Sequence, residues 1–179
     1  MISPKGRKLS FIDILKADLR ANLKPQSLVG FLNGFVFSPG FRVVFFYRCS
    51  VNLEKAGRIS HVLGKMIWRL NVAQSGCYLS PLSVIKEGLF LPHPTGVVVG
   101  EGVVIGSDVT IYQHVTLGRS HRDTPSYPKV GNGAVIYAGA VIVGDIRIGD
   151  EAVIGANAVV RTNVPEHARA VGNPARILS

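Results

Sequence analysis

The sequence predicts a mainly β fold, a parallel β-helix of six-residue repeats, preceded by an α-helical segment. Two observations carry the β-helix: an aliphatic hexad from Val99 onward and small residues at fixed places within it. Val99, Ile105, Ile111 and Leu117 open successive hexads, and Val130, Ile136, Ile142, Ile148, Ile154 and Val160 resume them after an interruption. Glycine follows at 100, 106, 118, 131, 149 and 155. The fifth residue is small or β-branched in nearly every hexad: Val103, Val109, Val115, Ala134, Ala140, Ile146, Ala152, Ala158 and Val164. A period of six fits neither an amphipathic helix (about 3.6) nor an alternating strand (about 2). It fits a coil of short strands and tight turns in which each hexad is one flat side of a prism. The aliphatic residue points inward onto its counterpart in the next coil, and glycine lets the corner turn without steric cost.

The chain has 179 residues, 47% of them apolar, enough for one or two small domains with a core. Two cysteines, Cys49 and Cys77, are too few for a disulfide framework, and no Cys/His cluster has structural zinc spacing. They read as ordinary thiols of a reducing cytoplasm. The basic run Lys5, Arg7, Lys8 is followed by Asp13 and Lys16, which is not the apolar region of a signal peptide. The net charge of +9 is unevenly placed. Residues 1–70 hold twelve Lys/Arg against three Asp/Glu, whereas residues 71–179 hold eight of each. The excess positive charge therefore lies outside the β-helix, where it favours an anionic partner: a membrane face, an acidic glycan or a phosphate-bearing ligand. A solvated surface with no partner is the plainer account.

Residues 10–24 read as a helix, with Ser10 as N-cap and Ile12, Leu15, Leu19 and Leu23 on one face. The apolar runs 26–37 and 41–47, separated by Ser38-Pro39-Gly40, fall short of the roughly 18–20 residues of a membrane span. Helices packing on each other account for them, with shallow interfacial attachment as the second reading. Residues 58–73 form another helix, leading into the β-helix near Ser80-Pro81, and Gly88, Leu89 and Leu91 fit an edge coil. The expected domains are a basic helical part at 1–75, a β-helix at 76–165 with a loop at 118–129, and a cap at 166–179, where the hexad fades. The loop is marked by thirteen residues between Leu117 and Val130, and its polar segment GRSHRDTPSYPK should leave the wall where binding commonly occurs.

His93 is the first candidate for chemistry. Counting hexads backward from Val99 puts it at an inward position, where an imidazole is a poor core residue. Either the register slips at Pro92–Gly96 or the side chain is displaced toward a cleft. Imidazole is the natural general base near neutral pH. A histidine satisfied by a backbone carbonyl at the prism edge is the competing account.

The strings GLFLPHPTGVVVGEGVVIGSDVTIYQHVTLG, YPKVGNGAVIYAGAVIVGDIRIGDEAVIGANAVV and VGNPARI closely resemble the serine acetyltransferase family, from about Lys16 to the C-terminus and most strongly over residues 88–176. The resemblance implies a left-handed β-helix acyltransferase that uses acetyl-CoA, needs no metal and assembles as a homotrimer. Related hexapeptide enzymes acetylate sugars in polysaccharide assembly. His93 would be the catalytic base, removing the acceptor hydroxyl proton as the oxygen attacks the thioester carbonyl. Transfer would be direct, with backbone N–H groups stabilising the oxyanion. Gly118 matches one glycine of the family's pair at the loop root, and Arg119 replaces the other. Ala138 and Ala156 match small positions lining the coenzyme groove. Lys129, Arg161 and Arg176 are candidates for the coenzyme phosphates, with surface solvation as the alternative.

The departures from the family bear on the acceptor. Pro92 stands where the family has an aspartate beside the base, and Ser126 and Tyr127 replace its Arg-His pair. Residues 19–53 contain no Asp or Glu. A bound zwitterion needs partners at both ends, because an unpaired charge in a cleft is costly. Tyr78 occupies the position of the aspartate that orients the imidazole, leaving that task to a carbonyl or to Glu101. His114 lies about one coil beyond His93 and is a candidate for acceptor contact, or else an exposed wall residue. Pro92, His114 and Tyr127 are thus the expected acceptor-binding residues. The expected activity is O-acetylation of a sugar or polysaccharide precursor, with serine O-acetylation in cysteine biosynthesis as the alternative. A zinc-dependent, carbonic anhydrase-like protein using His93, His114 and His121 is a third reading, and a non-enzymatic scaffold a fourth. The expected partners are acetyl-CoA, a hydroxyl acceptor and two further copies of the chain. Membrane or anionic-glycan contact through the basic segment is also expected, and nucleic acid is not. The location follows as cytoplasmic or at the inner membrane face.

Overall fold

The computed structural model describes residues 9–23, 28–54, 57–121 and 126–178. Four helices come first: α1 (Phe11–Asn22), α2 (Leu28–Phe37), α3 (Pro39–Glu54) and α4 (Arg58–Ser75). Fourteen strands of two or three residues follow and stack into three sheets. The first sheet holds β1 (Tyr78–Leu79), β3 (Val98–Val99), β6 (Thr116–Gly118), β9 (Val141–Val143) and β12 (Val159–Val160). The second holds β2 (Val84–Ile85), β4 (Val104–Ile105), β7 (Lys129–Val130) and β10 (Arg147–Ile148). The third holds β5 (Thr110–Ile111), β8 (Val135–Ile136), β11 (Val153–Ile154), β13 (Arg169–Val171) and β14 (Arg176–Leu178). Every pairing is parallel except that of β13 with β14.

The ten aliphatic hexad residues are all buried, as are their companions two residues earlier, from Val97 and Val103 to Ala158. Similar aliphatic side chains stack coil upon coil in the prism interior, which is why the sequence can repeat so strictly. Regular coils advance eighteen residues, as from Val98 to Thr116 and from Val141 to Val159. Three other step lengths occur: twenty residues from Tyr78 to Val98 and from Val84 to Val104, twenty-five from Val104 to Lys129, from Thr110 to Val135 and from Thr116 to Val141, and sixteen from Val153 to Arg169.

The glycine after each aliphatic residue serves a different purpose from the one expected. None of these glycines has a positive φ. Gly106, Gly131 and Gly149 permit close stacking instead: a Cβ on Gly106 would lie 2.7 Å from the Gly131 backbone, one on Gly131 2.7 Å from the Asp150 nitrogen, and one on Gly149 would meet the Glu166 nitrogen. The left-handed backbone falls two residues later, at Gly88, Asp108, Gly133, Glu151 and His167 on one corner and at Gly96, His114, Gly139 and Asn157 on another.

The helices cover the first coil. The Ser10 and Asp13 side chains form a capping box at the start of α1. Phe31 and Phe35 of α2 pack edge-on against Phe45 of α3, so the two apolar runs are indeed helices packed on each other. Asp18 of α1 and Arg48 of α3 form a buried bidentate ion pair, at 2.8 and 3.1 Å. Arg48 also donates to the Ile85 and Lys86 carbonyls, and Asp18 accepts from the backbone N–H groups of Gly88 and Leu89. Four of the five guanidinium N–H groups and both carboxylate oxygens are thus engaged, as buried charge requires. Trp68 of α4 donates to the Leu79 carbonyl at 2.8 Å. Burial pushes the Cys77 thiol up to about 12, leaving it inert.

The other end differs from the expected cap at 166–179. Two residues fewer in the preceding turn bring Val164 beside Ile148, after which β13 continues the wall to Val171. Only from Gly172 does the chain turn back, as β14 pairs antiparallel with β13 and residues 172 and 175 bond to Val159.

Candidate active site

The corner between the third and first sheets carries most of the reactive side chains. Eight residues separate Leu91 from Val99 there, against six between Ile111 and Leu117 one coil on. Leu91 and Val97 remain buried, and the two extra residues push the turn outward. His93 is therefore exposed rather than inward: the register slips at Pro92–Gly96. Pro92 beside it is half-buried.

His93 lies 6.4 Å, centroid to centroid, from Tyr112, which stacks on Tyr137 of the next coil at 5.1 Å and 14°. His114 sits on the same corner in the left-handed conformation, with φ of 59°. Its ring lies over Gly96, where a Cβ would come 2.2 Å from the His114 Nδ1. Gly96 is needed twice, for its φ of 72° and for this approach. Among the described residues, no hydrogen bond to a protein group engages the side chain of His93, Tyr112, His114 or Tyr137. The corner presents two imidazoles and two phenols to solvent with their polar atoms free. Ala138 (half-buried) and Ala156 (exposed) continue the same corner down the following coils, a track without bulk below the histidines.

The other expected site residues lie elsewhere on the chain. Gly118 and Arg119 stand at the corner between the first and second sheets, where a Cβ on Gly118 would meet nothing within 4 Å. Tyr127 folds back over that corner, its ring against Gly102 and its hydroxyl donating to Glu101 Oε1 at 2.7 Å. That bond raises the Tyr127 pKa above the ordinary phenol value. Glu101 is engaged there, and within one chain it does not orient His93. Lys129 is exposed in β7 beside Arg147, Arg161 follows β12 and Arg176 lies in β14, all exposed. Tyr78 meets Trp68 edge-on at 5.4 Å. His121 lies on the loop after β6, away from the corner of His93 and His114, and no group of three His, Cys, Asp or Glu among the described residues is placed to hold a metal.

One chain thus joins His93, Pro92, His114, Ala138 and Ala156 on one corner and leaves Gly118, Arg119, Tyr127 and Arg161 on another. The sequence reading missed the Asp18–Arg48 pair and the aromatic line of Tyr112 and Tyr137. Their spacing, one coil plus the seven-residue excess of the loop, is the signal that finds the latter.

The bacterial transferase hexapeptide family (six repeats) matches residues 127–162. A serine acetyltransferase of Buchnera aphidicola is 35% identical over 173 residues, 95% of this chain and 62% of that protein. A serine acetyltransferase of Helicobacter pylori is 38% identical over 142 residues, 79% of this chain and 82% of that protein. The fold superposes on a solved serine acetyltransferase in complex with CoA with a TM-score of 0.82 at 35% identity, covering 94% of this chain and 70% of that one. The chain spans less than two thirds of the length of the first curated relatives, 62%, 49% and 54%.

Proposed function

The chain belongs to the serine acetyltransferase family of hexapeptide-repeat transferases, its prism a left-handed parallel β-helix, and on that premise we propose that it moves an acetyl group from acetyl-CoA to an acceptor hydroxyl. The observation that carries this is the exposed His93 on an expanded corner, above a track kept free of bulk by Ala138 and Ala156. His93 removes the hydroxyl proton while the oxygen attacks the thioester carbonyl, then returns it to the leaving thiolate. Acetyl passes directly, without a covalent enzyme intermediate. The track takes the pantetheine arm, and Lys129, Arg161 and Arg176 are the cations offered to the coenzyme phosphates. A CoA complex of a relative supports acetyl-CoA as the donor.

The relatives' names support L-serine as the acceptor, ahead of the sugar expected from the sequence. One specific observation keeps the sugar reading beside it: Pro92 flanks His93, Tyr127 is committed to Glu101, and Tyr78 packs on Trp68. None of these supplies the charge an amino-acid zwitterion requires. Because the His93 and Tyr127 corners are separate on one chain, a homotrimer is proposed to bring the corner of one copy to that of the next. The reaction takes place in the cytoplasm. Thiol release from acetyl-CoA, measured with L-serine and with a panel of sugars, tests both readings. Turnover with serine alone removes the sugar reading, turnover with a sugar alone removes serine, and none with either acceptor, or full activity in His93→Ala, overturns the proposal.

A further inference from the structure

The exposed faces of α4 and α2 are apolar, and neither has a partner among the described residues. On α4, Ile59, Val62, Leu63, Met66 and Leu70 recur at helical spacing and are between 48% and 89% exposed. The buried side of the same helix is turned away from them, with Gly64 and Asn71 against α3. On α2, Val29, Leu32, Val36 and Phe37 are more than half exposed. Phe46 links the two faces, 5.6 Å from Phe35 of α2 and lining a shallow hollow with Ile67 and Leu70 of α4. Such a patch is too large for a solvated monomer surface to carry without a role.

The charge on this face selects the occupant. Arg58, Lys65 and Arg69 are exposed and run along one side of the α4 stripe at helical spacing. Neither α2 nor α4 contains an Asp or Glu. Glu54 of α3 packs toward Gly64 and, with Glu101, lines a hollow beside Lys65 and Arg69 on the flank of α4 that faces the prism, without an ion pair to either cation. A second copy would set the same cations against an apolar stripe of α2 and α4 that carries no carboxylate of its own, whereas an anionic lipid headgroup layer meets all three. No single helix among the described residues is long and apolar enough to cross a membrane, and α2 and α3 are bent by 101° with α3 buried. The face lies on a bilayer rather than through it. We propose that α4, with α2 beside it, is an interfacial membrane anchor that docks on anionic phospholipid.

Co-sedimentation of the full chain with vesicles tests this. Binding is expected to vesicles containing about a third phosphatidylglycerol and not to phosphatidylcholine alone, weakening as salt rises. Removing two cations in the variant Lys65→Ser with Arg69→Ser should cut that binding roughly twenty-five-fold. Met66→Asp should abolish it. Both variants lie outside the acetyl-transfer machinery, so their thiol release in solution should match the parent and show that they fold. Absent binding, equal binding to neutral vesicles, or binding unmoved by either variant overturns the assignment. So does a fall in particle mass for Met66→Asp in sedimentation velocity, which would make the face a contact between copies.

Discussion

Two corners of the prism share one backbone and carry opposite chemistry. Both place a residue of positive φ in every full coil, at Gly88, Asp108, Gly133 and Glu151 on one and at Gly96, His114, Gly139 and Asn157 on the other. On the first corner the polar groups close on each other. Ser107 donates to Glu87, Asn132 accepts from the Ser107 N–H, and Asn132 donates twice to Asp150. Asp18 completes this ladder from above through Gly88 and Leu89. On the second corner the side chains meet as rings and leave their polar atoms unspent. A saturated corner stiffens the wall, and an unsaturated one of the same shape is available to a substrate.

The largest effect that can break this contrast is loss of the base. His93→Ala should lower kcat about 10²–10⁴-fold in thiol release with the thermal transition unchanged. Next is the top of the ladder. Asp18→Ala leaves Arg48 buried without its counter-charge, and urea unfolding should show a loss of about 3–5 kcal/mol. A pair of glycine substitutions sharpens the comparison further. Gly96→Ala and Gly133→Ala both put a side chain at positive φ, each costing about 1–2 kcal/mol in chemical denaturation. Only Gly96→Ala also displaces an imidazole, that of His114, so only it should slow turnover. The smallest effect is on acid stability. Hydrogen bonds from the Asn132 side chain and backbone hold the Asp150 carboxyl below its usual range. Its contribution is complete above the ordinary aspartate pKa and fades as pH falls through the lower folded value. Asn132→Ala should therefore flatten the acid limb of a stability-versus-pH curve and leave acetyl transfer untouched.

Much of the wall was legible because its physics is repetitive: an inward aliphatic residue has the same neighbours in each coil, so position in the hexad decides burial. The site was less legible because it depends on a count. Whether His93 points in or out follows from two additional residues between Leu91 and Val99, and the pattern marks where regularity fails without saying which residues are extruded. The corner glycines misled in another way. Glycine suggests positive φ, yet here its missing Cβ allows corners to stack, while Asp108, His114, Glu151 and Asn157 adopt the left-handed conformation. Asp18 and Arg48 lie thirty residues apart on different helices, and no local pattern links them.

A stack of parallel coils has no intrinsic last member, since each terminal edge offers the bonding pattern that the next coil would use. Here the upper edge is roofed by helices, and at the lower edge β14 runs against β13 while Gly172 and Ala175 occupy the Val159 backbone. A reversed strand cannot template a parallel one in the same register. The tail therefore acts as a chain terminator, making the prism a rod of finite length and setting it apart from a filament built on the same repeat.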